Sequence, residues 1–145
     1  MEHVSIVCHD SGGAEILSSW LRRNNCKASV VAKGPAKKIF KQKCPQLEFI
    51  NLEEALIKSS WLLCGTGWQS NFERLAIAKA RDLGIKTVAF LDHWVNYLER
   101  FKEHGHFILP DEIWVGDEDA KVIACSLFNK TPVILKPNPY FEDLI

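Results

Sequence analysis

Four places along the chain set acids, histidines or tryptophans beside glycine or at the end of an apolar run. They are His9-Asp10-Ser11-Gly12-Gly13, Gly65-Thr66-Gly67-Trp68, Asp92-His93-Trp94 and Gly116-Asp117-Glu118. Asp92 directly follows Val88-Ala-Phe-Leu91. A carboxylate there is costly to bury unless it is paired or reaches a polar edge. The adjacent His93 titrates near neutrality and can carry a proton. Trp94 adds a flat apolar face on which a sugar or base can stack. His9 and Asp10 form a second pair of the same chemistry. Glycine at positions 12, 13, 65 and 67 allows a ligand to approach backbone N–H groups closely.

These residues need elements to position them. Apolar runs predict strands at Val4–Cys8, Ala28–Ala32, Leu47–Ile50, Trp61–Cys64, Thr87–Leu91, Glu112–Gly116 and Pro132–Leu135. Helices are expected from Ile16 to near Asn24, over Ala36–Lys43, Leu52–Lys58 and Asp119–Phe128, and through Phe72, Leu75, Ala76, Ile77, Ala80 and Leu83, where Gly84 serves as the stop. Glu73, Arg74, Lys79, Arg81 and Asp82 fall between those apolar positions. Val95–Glu103 reads as a further helix: either an amphipathic cover for the sheet end or a cleft wall in which Asn96 and Arg100 meet ligand, Arg100 as an anion partner. His104–Pro110 reads as a loop, and the proline-broken tail Lys136–Ile145 as having no clear final helix. Alternation of strands and helices predicts an α/β three-layer sandwich: one Rossmann-like domain over residues 1–145, with a doubly wound, mainly parallel sheet of about seven strands. With strand order 3-2-1-4-5, the turns after strands one and four flank the topological switch point, where such sheets bind ligands.

Other signals are weaker. Gly65-Thr-Gly67-Trp-Gln-Ser70 departs from GxGxxG at the third glycine and does not follow the first strand, although Asp92 sits where a ribose-binding acid would. It supports an alternative reading as a stand-alone nucleotide-binding or regulatory domain. His93, His104 and His106 lack metal-ligand spacing, and neither a metal nor a cofactor is expected. Lys37, Lys38, Lys41 and Lys43 read as a solvated helix face. The five cysteines are odd in number and without CxxC, as expected of free thiols in a reducing cytoplasm, with Cys64 beside the glycine turn the one reactive candidate.

The 145 residues suffice for one full core. Hydrophobic residues are 47%, charged residues 25%, and the formal net charge is zero. That balance argues against a nucleic-acid partner and limits membrane contact to a peripheral one. No apolar run approaches the roughly 20 residues of a bilayer span. No signal peptide is visible at the N-terminus, so a cytoplasmic protein is expected.

Gly65-Thr-Gly67, Glu73, Ala78-Lys79-Ala80 with Gly84-Ile85, Phe90-Leu-Asp-His-Trp94 with Asn96-Tyr97, Arg100-Phe101 and Pro110-Asp-Glu-Ile-Trp-Val-Gly-Asp117 resemble the N-terminal half of bacterial GT-B glycosyltransferases. The nearest likeness is to surface-polysaccharide and polyol-phosphate-transferase-like proteins, extending toward sugar-nucleotide 2-epimerases of the same fold. The resemblance is clearest over residues 61–118. It implies an acceptor-binding half, taking a sugar or polyol, free or lipid-linked. It implies no transfer without a second Rossmann-like domain or subunit to hold the donor. An acceptor hydroxyl needs a base to remove its proton. By the resemblance the base is His9 or Asp10 in the acceptor-facing turn, or Asp92 with His93, the latter pair preferred. Gly12, Gly13, Gly65, Thr66, Gly67, Trp68, Trp94, Asn96, Arg100 and Asp117 are then the expected binding residues. Exposed apolar residues of the tail, Tyr140, Phe141, Leu144 and Ile145, are expected to meet that partner.

Overall fold

The computed structural model describes residues 2–144. Strands β1 (His3–Cys8), β2 (Lys27–Ala32), β3 (Glu48–Phe49), β4 (Trp61–Cys64), β5 (Lys86–Leu91), β8 (Glu112–Val115) and β9 (Val133–Leu135) form one sheet in the order β3-β2-β1-β4-β5-β8-β9. Every pairing in it is parallel. Two further strands, β6 (Lys102–Glu103) and β7 (His106–Phe107), make a separate antiparallel hairpin. The chain steps one way from β1 through β2 to β3, then returns past β1 to β4 and continues outward. The switch point therefore lies between β1 and β4.

Period-two alternation along the strands feeds two cores. On β5, Val88 and Phe90 face one layer while Ala89 and Leu91 face the other. Helices α1 (Ser11–Arg23) and α2 (Gly34–Lys43) cover the Val88 side through Ile16, Leu17 and Phe40. Helices α3 (Leu52–Lys58), α4 (Phe72–Asp82) and α5 (Glu118–Leu127) cover the Leu91 side through Leu56, Ile77 and Ala124. With both faces covered, the central strands are mostly apolar, as suits a parallel sheet, with Ser5, Ser29 and Thr87 the buried polar exceptions on β1, β2 and β5.

Three expectations are corrected. Residues 95–103 do not form a helix: the chain leaves β5 in a tight turn, makes one 3₁₀ turn at Glu99–Phe101 and enters the hairpin. His93 and Asn96 have positive φ, 60° and 57°, which breaks the helical path at its start. Tyr97 and Phe101 nevertheless bury in the α4/α5 core and anchor the segment by packing rather than by helical hydrogen bonds. Within the expected loop 104–110, His106–Phe107 pair with Lys102–Glu103 around a His104-Gly105 turn in which both φ values are positive. The tail ends in a helix, α6 (Pro139–Asp143), whose start is capped by Asn138 Oδ1 on the N–H groups of Tyr140 (3.0 Å) and Phe141 (3.3 Å). Proline at its first position suits a helix start, so proline here begins an element rather than breaking one. Among the described residues no helix is long and apolar enough to cross a membrane.

Phe101 is fully buried and meets Phe128 edge-to-face, with ring centroids 5.3 Å apart. Phe101→Ala should cost about 3–5 kcal/mol in a urea titration, since it removes the main apolar anchor of an irregular segment. A loss under about 1 kcal/mol would show that the segment is not held by this contact.

Candidate functional site

The C-terminal ends of β1, β4, β5 and β8 lie along one sheet edge, so the four sequence clusters meet there. At the switch point, His9 follows β1 and Glu73 lies in the first turn of α4. His9 Nδ1 donates to the Glu73 carboxylate, at 2.6 Å from Oε1 and 2.9 Å from Oε2, and its backbone N–H donates to Oε2 at 3.0 Å. Glu73 is 2% exposed, and these donors offset its desolvation. The Glu73 hydrogen bond raises the His9 pKa above its ordinary 6.5 despite opposing burial. His9 Nε2 accepts or donates no hydrogen bond among the described residues. No buried side-chain nitrogen or oxygen there lacks a partner, so this atom reaches solvent. Gly67 permits the arrangement: a Cβ on it would overlap the His9 ring.

At the end of β5, Asp92 is 5% exposed and its charge is paired. Arg100 Nη1 donates to Asp92 Oδ1 at 2.7 Å, to the Thr66 carbonyl at 3.0 Å and to Thr66 Oγ1 at 3.1 Å, while Arg100 Nε donates to the Val95 carbonyl at 3.0 Å. The Thr66 hydroxyl lies 3.3 Å from Asp92 Oδ1. Asp92 Oδ2 receives no hydrogen bond from the described residues; His93 Nε2 stands 3.4 Å from it. Tyr97 donates its phenolic hydrogen to the His93 carbonyl, and burial pushes that phenol up to about 12. The left-handed turn is thus tied down at His93 by Tyr97 and at Val95 by Arg100.

A cavity of about 620 Å³ opens beside this turn, between the start of α1, the ends of β5 and β8, and α6. Asp92, His93, Trp94, Gly12 and Asp117 bear on it, with Tyr140 and Phe141 forming the far wall. Asp10 caps α1 through Oδ2 to the Gly13 N–H at 3.2 Å. Gly12 then lets the helix start approach Asp92: a Cβ there would lie 2.8 Å from Asp92 Oδ2. Asp117 caps α5 on the Ala120 N–H at 2.8 Å, and also receives Trp94 Nε1 at 3.2 Å. The tail closes the wall because Asn138 packs on Gly116, 3.1 Å from where a side chain would begin.

The expected residues therefore divide. Asp92, His93, Trp94, Gly12 and Asp117 gather at the cavity. Asp10 and Gly13 build the turn behind it, where a Gly13 Cβ would meet Asp10 Oδ1 at 2.9 Å. Gly65, Thr66 and Gly67 do not form its floor; they pack against Cys8, Arg100 and His9 respectively. Arg100 is 5% exposed, and its donors go to the Asp92 carboxylate and to the Thr66 and Val95 carbonyls inside the protein. Asn96 is exposed and serves the turn geometry, and Trp68, 42% exposed, lies outside the cavity. Tyr140 is half-buried against the α1 layer, Phe141 and Leu144 are exposed, and Ile145 lies outside the described residues.

Sequence reasoning missed Glu73 as a functional side chain by placing it between the apolar positions of its helix. The stripe that is buried is Glu73, Ala76, Ile77 and Ala80, whereas Leu75 and Leu83 are exposed. Glu73 sits three and four residues before Ala76 and Ile77, and that spacing is the signal that would have found it. Glu15, Asn138 and Tyr140 were missed because only the tertiary fold brings them to the cavity. Cys64 is fully buried, and burial pushes its thiol up, away from the thiolate that a nucleophile needs. Cys8, Asp10 and Glu73 place ligand atoms within 4.8 Å of one another. The Cys8 thiol is likewise pushed up by burial and Glu73 is spent on His9, so this trio is packing at the turn rather than a built metal site. The three histidines His93, His104 and His106 do not gather among the described residues.

Arg100→Met should cost about 3–5 kcal/mol by leaving Asp92 buried and unpaired. In a double-mutant cycle, adding Asp92→Asn should recover part of that loss; strict additivity would contradict the pairing. His9 should titrate above 6.5 by NMR, and Glu73→Gln should bring the midpoint down. Because the folded value is raised, this contribution to stability is full at pH below 6.5 and is lost as pH climbs through the folded value. A wild-type midpoint at or below 6.5 would refute the assignment. No family model and no curated protein sequence matches the chain, so this edge is read from its own residues.

Proposed function

We propose that the chain is the acceptor-binding half of a glycosyltransferase-like enzyme of surface-polysaccharide synthesis, and that the cavity holds a sugar or polyol acceptor. The observation that carries this reading is the pairing of an open carboxylate oxygen, Asp92 Oδ2, with aromatic walls at Trp94, Tyr140 and Phe141. Sugars present an apolar C–H face and hydroxyl edges, and such a wall and acceptor match both. A volume of about 620 Å³ suits a small ligand. Asp92 Oδ2 accepts a hydrogen bond from the acceptor and holds it in place, and His93 beside it takes the proton of the reacting hydroxyl as that oxygen bonds to the donor's transferred carbon and the donor's leaving group departs with the electron pair of its broken bond. The donor sits on a second domain or subunit, which brings it into near-attack geometry.

The rival reading, a nucleotide-binding domain using the Gly65–Ser70 turn, has less support. The Thr66 carbonyl is taken by Arg100, Gly67 is against the His9 ring, and no Lys or Arg bears on the cavity. Calorimetry of the chain alone against D-glucose, ribitol, UDP and NAD separates the two. The acceptor reading expects weak sugar or polyol binding, with Kd of about 1 mM, that weakens in Trp94→Ala, and nucleotide binding no stronger. Micromolar binding of UDP or NAD without a partner would transfer the site to the rival.

A further inference from the structure

Charge around the cavity is one-sided. Glu15 from α1, Asp92 from β5 and Asp117 from the start of α5 all bear on it, and no Lys or Arg does. Two of these acids are already engaged. Asp117 receives Trp94 Nε1 and the Ala120 N–H, and Lys43 Nζ stands 3.6 Å from Glu15. Asp92 differs. Its side chain is 5% exposed, Arg100 holds Oδ1 from behind, and Oδ2 lies toward Gly12 and the cavity, accepting no hydrogen bond from the described residues, with His93 Nε2 3.4 Å away. His93 is the one basic side chain on the cavity, 71% exposed at the rim.

A neutral polyol needs donors as well as acceptors around it, because each hydroxyl both gives and takes a hydrogen bond. The side chains here offer mostly acceptors and ring faces. Three carboxylates within low-dielectric walls also concentrate a negative potential. Aromatic faces beside an open carboxylate attract an ammonium group twice, through the ring quadrupole and through the charge. We infer that the ligand of this cavity carries a protonated amine, as an amino sugar or amine-bearing polyol does, with the ammonium on Asp92 Oδ2 and a ring face at Trp94 or Tyr140. This rests on the sugar or polyol reading above and specifies its chemical class.

The test follows the Trp94 indole N–H by NMR, identified through Trp94→Phe, while D-glucosamine, N-acetyl-D-glucosamine, D-glucose, D-glucose 6-phosphate and tetramethylammonium are titrated separately. Glucosamine should bind about tenfold more tightly than glucose or N-acetylglucosamine, and the gap should narrow at high salt. Asp92→Asn should abolish the gap. Should that variant not fold, Glu15→Gln should still narrow it. Equal binding of glucosamine, N-acetylglucosamine and glucose overturns the amine inference and leaves the sugar reading standing. Tetramethylammonium binding as tightly as glucosamine supports the cation site and removes the sugar reading. Tighter binding of the phosphate, or no binding of any probe, overturns the inference.

Discussion

The buried pair of Asp92 and Arg100 is the constraint from which the candidate site follows. A carboxylate carried to the end of an apolar strand cannot stay charged without a partner. The partner comes from eight residues along the chain, and reaching it forces the intervening segment into a tight turn instead of a helix. Arg100 then has donors to spare. They close on the Thr66 and Val95 carbonyls, so a single guanidinium ties β4, β5 and the turn into one unit. Its planar fork suits this role in a way a lysine ammonium does not.

The same edge gathers the starts of three helices, each beside an acid: Asp10 and Asp92 at α1, Glu73 at α4, and Asp117 at α5. Positive helix ends stabilise nearby negative charge, and Asp10 and Asp117 also satisfy N–H groups that lack intrahelical partners. This accounts for a dense acidic edge in a chain with no net charge. It also separates the two histidines. His9 is locked on a buried carboxylate at the switch point, while His93 stands at the cavity rim on a turn with positive φ. Backbone of that kind persists where surrounding contacts over-determine it, as Tyr97 and Arg100 do here.

The cavity walls differ in how firmly they are held. Asp92, Gly12 and Asp117 belong to the sheet edge and to the starts of well-packed helices. Tyr140 and Phe141 belong to a five-residue helix tied to α1 by Arg23, which pairs with Glu142 and Asp143 at 3.2 and 2.7 Å in partly exposed bridges. Exposed ion pairs contribute little. The tail wall is therefore held to α1 by the packing of Tyr140 and by these ion pairs rather than by sheet hydrogen bonds.

The sequence by itself determined the layers, the parallel sheet and the strand ends at which polar residues collect, while the order 3-2-1-4-5 was a condition that the structure meets. Apolar runs of strand length, helical stripes and glycine stops are local signals, and the parallel crossover rule converts them into topology. It also singled out Asp92, because an acid after four apolar residues is unusual wherever it lies. Only the tertiary structure decided what that acid pairs with, which of the candidate residues face a ligand and which hold each other. Arg100 and Thr66 read as binding residues from their types, yet burial spends them internally. Glu73 falls between the apolar positions of its helix in sequence, yet α4 packs with it turned inward onto His9. Glu15 and Tyr140 are 125 residues apart and meet only because the tail crosses back over α1. Such partnerships depend on packing between distant segments, and no local pattern encodes them.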